Sequence, residues 1–592
     1  MSISASHKKI YEVLSPRHYE FIIPAYQRPY AWDKDLARAL VQDLVDAYRE
    51  YSAQEYFLGS IVVVRRYTSS ADAEVVDGQQ RLTSLSILMA VIRSLLPISE
   101  GVDITGLLVS EFLGKRKVGL RLRTSGLDSD DNFFDDHIRN DGGIAKLERM
   151  KAVLSSSQQC IASNALEMKK EIIKNFSSSM NSQSHDIKDF LNFVLEKSCL
   201  VVVESTDFDS AYRIFSTMNN RGLRLGVSDL IKAVILEQLP NEKERDEVNQ
   251  IWEQEEADLT RLASSTIEDD TESRRYFELL FTHIHRIASK RRSSKNLFDD
   301  FKKDVLNVTP QSPLIGQDRA KEFVTQILVR SSNAYESILK KAIPIPDLKT
   351  ANLVNKLYLP LLENIPNSDW QSVAISFIIS YHHQMGSAQD FFGLLERVAA
   401  ISLILGENVN GRVKRYSPVL QALESSQEAA MAELQASIKD EEKHAVMKAI
   451  NEKVYGQTFA FYVMLRLDSA LAEGGISPSL SAPRASIEHV APQTLREEWR
   501  KDWTDEAHNT WVNKIGNLVL LSKRKNSRAQ NFDFITKKET YFAGKFGQAG
   551  DIATFPSVTK VLNAGERWSP DAVAKNQVEY VSLLSQAWAL ED

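Results

Sequence analysis

The chain has 592 residues, 43% hydrophobic and 26% charged, with a formal net charge of −7 and two cysteines, Cys160 and Cys199. At roughly 150 residues per domain it is too long for one core, and its hydrophobic share excludes a disordered chain. Two cysteines exclude a four-cysteine zinc site and a disulfide framework and suit a reducing cytoplasm. No stretch approaches the roughly 20 apolar residues of a membrane span and no apolar signal core opens the chain, so a soluble cytoplasmic protein is expected.

Residues 1–235 alternate element types. Leu36, Leu40, Leu44, Val45 and Tyr48 recur at helical spacing behind an Asp33 cap, whereas Ile61 to Val64, Val75-Val76 and Leu200 to Val203 are short apolar runs typical of buried strands. An α/β domain is predicted. Within it, Ile23-Pro-Ala-Tyr-Gln-Arg-Pro-Tyr-Ala-Trp32 gathers Tyr26, Tyr30 and Trp32 around Gln27 and Arg28. That composition suits stacking on a base and gripping a phosphate, or equally a proline-stiffened segment covering the core.

Next comes Glu74-Val-Val-Asp-Gly-Gln-Gln-Arg-Leu-Thr83, a strand running through a Gly turn into a helix. Free backbone N–H groups at a helix start favour an anion, Gly78 permits close backbone approach, Arg81 can fork to phosphate, and Asp77 can hold a metal or activate water. The same residues also make an ordinary strand-to-helix turn. Asn219 and Arg221 lie at a later Gly turn, ahead of a Ser228-Asp229 cap and a helix from Leu230 to Leu239.

Residues 236–400 read as a helical middle and 401–592 as a C-terminal domain, with Gly474-Gly-Ile-Ser-Pro-Ser-Leu-Ser-Ala-Pro483 as a linker. The basic clusters at Lys115 to Lys117, Arg121 with Arg123, and Lys290 to Lys295 read as solvated faces, and the negative net charge confines any nucleic-acid surface to a local patch. His283, His285, His382 and His383 lack carboxylates at ligand spacing and read as core or surface residues.

The C-terminal domain carries Ser486-Ile-Glu-His-Val-Ala-Pro-Gln493, then Ile515-Gly-Asn-Leu-Val-Leu-Leu-Ser522, then Lys523-Arg-Lys-Asn-Ser-Arg528. Phosphodiester hydrolysis needs an activated water, a divalent cation and groups that hold both. His489 is the natural base, Glu488 and Asn526 offer hard oxygen ligands for Mg²⁺ or Mn²⁺, and Asn517 is placed to orient the His489 ring. Lys523, Arg524, Lys525 and Arg528 then meet DNA phosphates beside the metal. His508 reads as a support or surface residue.

This order and spacing resembles the HNH (ββα-metal) nuclease motif, with Glu488 where Asp is commoner. Together with Tyr56-Phe-Leu-Gly-Ser-Ile61, the N-terminal segments resemble GmrSD-type modification-dependent (type IV) restriction systems, whose Asp-Gly-Gln-Gln-Arg signature sits on a ParB/sulfiredoxin-like fold. The resemblance implies a multidomain α+β protein: an α/β domain over 1–235, a helical middle, and an HNH core at 484–545 in a helical surround. It further implies nucleoside triphosphate binding and hydrolysis at Asp77, Gly78, Gln79, Gln80 and Arg81 with Asn219 nearby, the triphosphate (GTP, UTP, ATP or CTP) being undistinguished. The implied partners are modified phage DNA and a nucleotide, and whether a second copy of the chain joins them is left open by the sequence. The family pattern has an Arg in the last helix after a Trp, where this chain has Trp568 and then Asn576-Gln577. Rival readings are a nuclease whose N-terminal domain only binds DNA, and a non-catalytic DNA-binding scaffold.

Overall fold

The structure is a computed structural model that describes residues 3–24, 27, 29–51, 54–65, 70–97, 104–112, 115–122, 130–152, 154–176, 180–207, 210–211, 226–239, 241–263, 274–290, 296–308, 316–481, 485–522, 532–538 and 555–591. The chain folds as two compact units, Met1–Glu253 and Gln254–Asp592, mostly helical with one mixed sheet. Among the described residues no helix is long and apolar enough to cross a membrane.

The sheet of the first unit is built from β1 (Ile3–Lys9), β2 (Glu20–Ile23), β3 (Tyr56–Val64), β4 (Asp72–Asp77), β7 (Leu120–Leu122) and β8 (Ser198–Ser205), with a separate pair β5 (Val109–Phe112) and β6 (Lys115–Val118). Its six strands run in the order β1-β8-β3-β4-β2-β7. Pairs β8-β3, β4-β2 and β2-β7 are parallel, and β1-β8 and β3-β4 antiparallel. Alternation along a strand sends Ile61 and Val63 into the large core and Val62 and Val64 into a smaller cluster with Val76 and Val203.

Helices α1 (Lys34–Tyr51), α2 (Gln79–Leu95), α3 (Ser156–Asn175) and α4 (Met180–Glu196) contribute to the large core. Every residue of α2 from Leu82 to Arg93 is buried, as expected of a helix apolar on nearly all sides. Asp33 caps α1 as predicted, its Oδ1 accepting from the Leu36 N–H at 2.8 Å. Leu36 itself is 48% exposed, and the buried stripe begins with Ala37 and Leu40. Helix α5 (Val227–Glu237) starts earlier than predicted. Gly226 is its cap, and Asp229 closes the turn by accepting from the Gly226 N–H at 2.9 Å.

Basic side chains of this unit face acids: Arg116 forks to Asp135 at 2.7 and 3.1 Å, and Lys117 pairs with Glu20. In the second unit Lys290 pairs with Glu424.

The second unit is helical up to a C-terminal strand pair. Its α6 (Arg275–Ser289) presents His283, fully buried, between Ser372 Oγ at 2.9 Å and Gln371 Oε1 at 3.1 Å, both on α7 (Asp369–Tyr381). Burial, helped by Arg286, presses the His283 pKa down to about 3, against the Gln371 hydrogen bond and Asp369. An unfolded histidine titrates near 6.5, so between these values the unfolded chain holds the extra proton. The stability is therefore complete above pH 6.5 and lost as pH falls toward 3, at about 1.4 kcal/mol per unit, or about 2 kcal/mol at pH 5. Urea unfolding of this unit at pH 7.5 and 5 should show at least that loss, and His283→Gln should make it smaller by about 2 kcal/mol.

The predicted linker is partly a packed element. Ser477 and Ser479 are 2% exposed, and Ser477 Oγ donates to Asp468 Oδ2 at 2.6 Å on α9 (Ala460–Leu471), where α8 is Ala388–Ile404. Asp468 Oδ1 also accepts from the Ser557 N–H at 2.8 Å, so one buried carboxylate ties the segment before the strand pair to the one after it.

Candidate active site

The C-terminal strands β9 (Ala485–His489) and β10 (Leu518–Ser522) pair antiparallel, with His489 opposite Leu518 and Glu488 opposite Val519. Leu518 to Leu521 are all buried. Helix α9 packs against the pair, as does α11 (Pro556–Leu562), whose Ser557 Oγ accepts from the Leu520 N–H at 3.2 Å and so covers the free edge of β10.

His489 ends β9, 6% exposed, with its ring edge on Tyr455 at 4.2 Å between centroids. Its Nε2 lies 3.2 Å from Asn513 Oδ1. Donating there leaves Nδ1 as the acceptor. Burial lowers the His489 pKa to about 4, with Lys537 and His508 adding to the effect and the Asn513 bond opposing it. The ring is neutral at pH 7, the form a base requires.

Asn517 does not orient that ring. Its amide is fully engaged elsewhere: Nδ2 donates to the Ala491 and Val512 carbonyls at 2.9 and 3.0 Å, and Oδ1 accepts from the Ala491 N–H and Trp568 Nε1, both at 2.9 Å. Asn517 fixes the turn after His489, and Asn513 holds the ring. His508, on α10 (Asp505–Trp511), supports the same turn by donating Nε2 to the Pro492 carbonyl at 2.8 Å.

Gly516 is packed so closely by α12 (Pro570–Trp588) that a Cβ would lie 2.4 Å from the Val573 carbonyl. Its N–H donates to Gln577 Oε1 at 2.9 Å, and Gln577 Nε2 donates to Asn451 Oδ1 at 3.1 Å. Where the family pattern has an arginine after the Trp, Gln577 clamps the Ile515-Gly-Asn517 turn.

Glu488 faces a buried lysine that no motif announced. Lys537 is 0% exposed, and its Nζ donates to Glu488 Oε1 at 2.9 Å, the His489 carbonyl at 2.7 Å and the Val490 carbonyl at 3.2 Å. Burial raises the Glu488 pKa while Lys537 opposes the rise. A carboxylate is a hard oxygen donor of the kind a divalent cation takes, and here Lys537 holds its Oε1. Asn526, Lys523, Arg524, Lys525 and Arg528 lie outside the described residues.

In the first unit, two segments that the sequence presents separately come together. Gly78 adopts φ +95° between β4 and α2, and a Cβ there would meet Ile61 Cγ2 at 2.4 Å. Gln80 Oε1 accepts from the N–H groups of Ala31 and Trp32 at 3.0 and 3.3 Å, and its Nε2 donates to the Pro29 carbonyl at 3.2 Å. Gln27 is 7% exposed and donates to the Val76 carbonyl at 2.8 Å.

Tyr30 is 5% exposed, its hydroxyl 2.7 Å from Ser84 Oγ and 3.0 Å from Asn164 Nδ2, and Trp32 packs against the core. Tyr30 therefore fastens the segment to α2 and Gln27 fastens it to β4, rather than offering a face to a base. Gln79 opens α2, while Tyr26, Arg28 and Asn219 lie outside the described residues. Arg81 donates Nη1 to the Ser60 carbonyl at 2.9 Å, against Gly59 at φ +104°. Burial lowers its pKa and raises that of Asp77, each offset by the charge of the other.

Comparison with known families first gives the class, restriction endonucleases, at both ends of the chain. Residues 10–236 match the N-terminal domain of the GmrSD restriction endonuclease, and residues 438–583 match the C-terminal domain of the GmrSD restriction endonucleases. No curated protein matches the chain. With both domains in order, the chain belongs to the GmrSD-like type IV restriction endonucleases.

Proposed function

We propose that the chain is a metal-dependent DNA endonuclease whose cutting centre is the β9-β10 pair in an HNH (ββα-metal) arrangement. The first unit, read as ParB/sulfiredoxin-like, binds a nucleoside triphosphate and senses modified phage DNA. The observation that carries the reading is the buried, neutral His489 imidazole, anchored through Nε2 by Asn513, next to the Glu488 carboxylate on the same strand end. His489 Nδ1 takes a proton from the attacking water, and Asn513 keeps that nitrogen directed. Glu488 and Asn526 would hold Mg²⁺ or Mn²⁺, which supplies charge stabilisation on the phosphorane and the leaving oxygen.

Lys523, Arg524, Lys525 and Arg528 meet the DNA backbone. In the first unit, the start of α2 with Gly78, Gln79 and Arg81 receives the nucleotide phosphates, and Asp77 serves hydrolysis. The test is plasmid cleavage by the purified protein on unmodified, glucosylated-hydroxymethylcytosine and phosphorothioate DNA, each with and without nucleoside triphosphate and Mg²⁺. Cutting of one modified substrate only, and only with nucleotide, is expected. Equal cutting of all substrates regardless of nucleotide defeats the gated reading, and no cutting of any substrate defeats the nuclease reading.

A further inference from the structure

A cavity of about 190 Å³ opens in the second unit among α8, α9, α12 and the π-helical turn Val354–Tyr358. Two guanidinium groups line it, those of Arg397 on α8 and Arg466 on α9. Arg397 makes no hydrogen bond and no ion pair among the described residues, and its Nε is buried without a partner. Arg466 is 9% exposed, and its one ion-pair partner among the described residues is Glu396 Oε1, at 3.3 Å from Nε in a geometry that makes no hydrogen bond. The Tyr358 hydroxyl and the Gln389 amide also line the cavity and have no partner among the described residues. Gly393 gives Tyr358 its room, since a Cβ there would meet the hydroxyl at 3.1 Å.

Two carboxylates, Glu396 and Asp390, line the cavity with the two guanidinium groups, but only one of them lies against an arginine. Glu396, 1% exposed, is held by Tyr462 and by Trp588 Nε1 at 3.3 Å, and it offsets one guanidinium. The other makes no ion pair among the described residues, Asp390 being exposed at the rim. Burial lowers the Arg397 pKa, Arg466 lowers it further, and Glu396 compensates in part. A half-buried cation with unused N–H groups is costly unless an anion joins it. The planar fork of arginine matches the oxygens of phosphate.

We propose that this cavity is a binding site for a phosphate-type oxyanion, held between Arg397 and Arg466 with Tyr358 and Gln389 as further donors. Drug-sized ligands occupy about 300–1,000 Å³, so this site takes the phosphate end of a nucleotide or of DNA rather than a base and sugar. It does not rest on the reading of the cutting centre, although the same helices hold that centre. Asp468 on α9 binds Ser557, which covers β10, and Gln577 on α12 binds Gly516.

The experiment is thermal unfolding of the full chain in inorganic pyrophosphate, in a nucleoside triphosphate and in a 5′-phosphorylated duplex, against sodium chloride of equal ionic strength. The same series is run on Arg397→Gln. Pyrophosphate should raise the wild-type melting temperature by about 2 °C or more, and Arg397→Gln should lose at least half of that rise while melting, without ligand, no lower than the wild type. A response lost in Arg397→Gln with nucleotide alone, or with DNA alone, identifies the source of the phosphate. No rise in the wild type, an equal rise in both proteins, or a variant that melts well below the wild type without ligand overturns the site.

Discussion

His489→Ala should reduce Mg²⁺-dependent cutting by at least about 1,000-fold, the upper range for loss of a general base. The imidazole is neutral where the reaction runs, because burial holds its pKa near 4. His508, the nearest in sequence, has its Nε2 on the Pro492 carbonyl. Asn513→Ala should act through the ring alone. The Asn513 backbone carbonyl still accepts from Val454 and Tyr455 at 3.0 and 3.1 Å, so the fold persists while cutting falls about 10- to 100-fold through the loss of orientation. Asn517→Ala should behave in the opposite way, stranding four buried backbone and indole groups at a cost of about 3 kcal/mol or more. Single-turnover nicking alongside urea unfolding separates the three variants. A wild-type rate in His489→Ala removes the histidine from the chemistry, and a stable Asn517→Ala removes the clamp.

What the sequence made legible is what local rules determine. The β-branched run Ile61 to Val64 became the centre of the sheet, Asp77-Gly78 became a turn because the backbone there takes φ +95°, and strand alternation set Glu488 and His489 on opposite faces at one strand end. Contacts made by distant segments were not legible. Asn513 and Lys537 belong to no motif, and only their contacts with partners 24 and 49 positions away show what they hold. Gln577 reads as a departure from the family pattern until α12 is seen against Gly516. The aromatic segment ending at Trp32 was legible in composition but not in exposure: Ser84 and Asn164 take the Tyr30 hydroxyl, which turns a base-stacking candidate into a core residue. Helicity alone was legible in the middle of the chain, since amphipathic spacing records which face is buried but not what lies across it.

Lys537→Met should cost about 3–5 kcal/mol, the range for removing one partner of a buried ion pair. Methionine matches lysine out to Cε and lacks only the ammonium group, so packing of the stem changes little and the charge is what the experiment reads. The ammonium group has three donors and three acceptors, Glu488 Oε1 and the carbonyls of His489 and Val490. Its loss strands a carboxylate with a 13% exposed side chain together with two backbone oxygens at the strand end that carries the base. Glu488→Gln alone leaves a hydrogen-bonding amide opposite the ammonium and should cost less. Glu488→Gln with Lys537→Met removes both charges, so the pair should recover at least about 1 kcal/mol relative to the sum of the single variants. Mn²⁺ adds a second readout that does not depend on cutting. In Lys537→Met the cation meets a carboxylate with no competing ammonium, so millimolar Mn²⁺ should raise the melting temperature more than in the wild type. Additive single variants would show that Lys537 and Glu488 are not coupled, and an equal Mn²⁺ response in both proteins would place the metal away from Glu488.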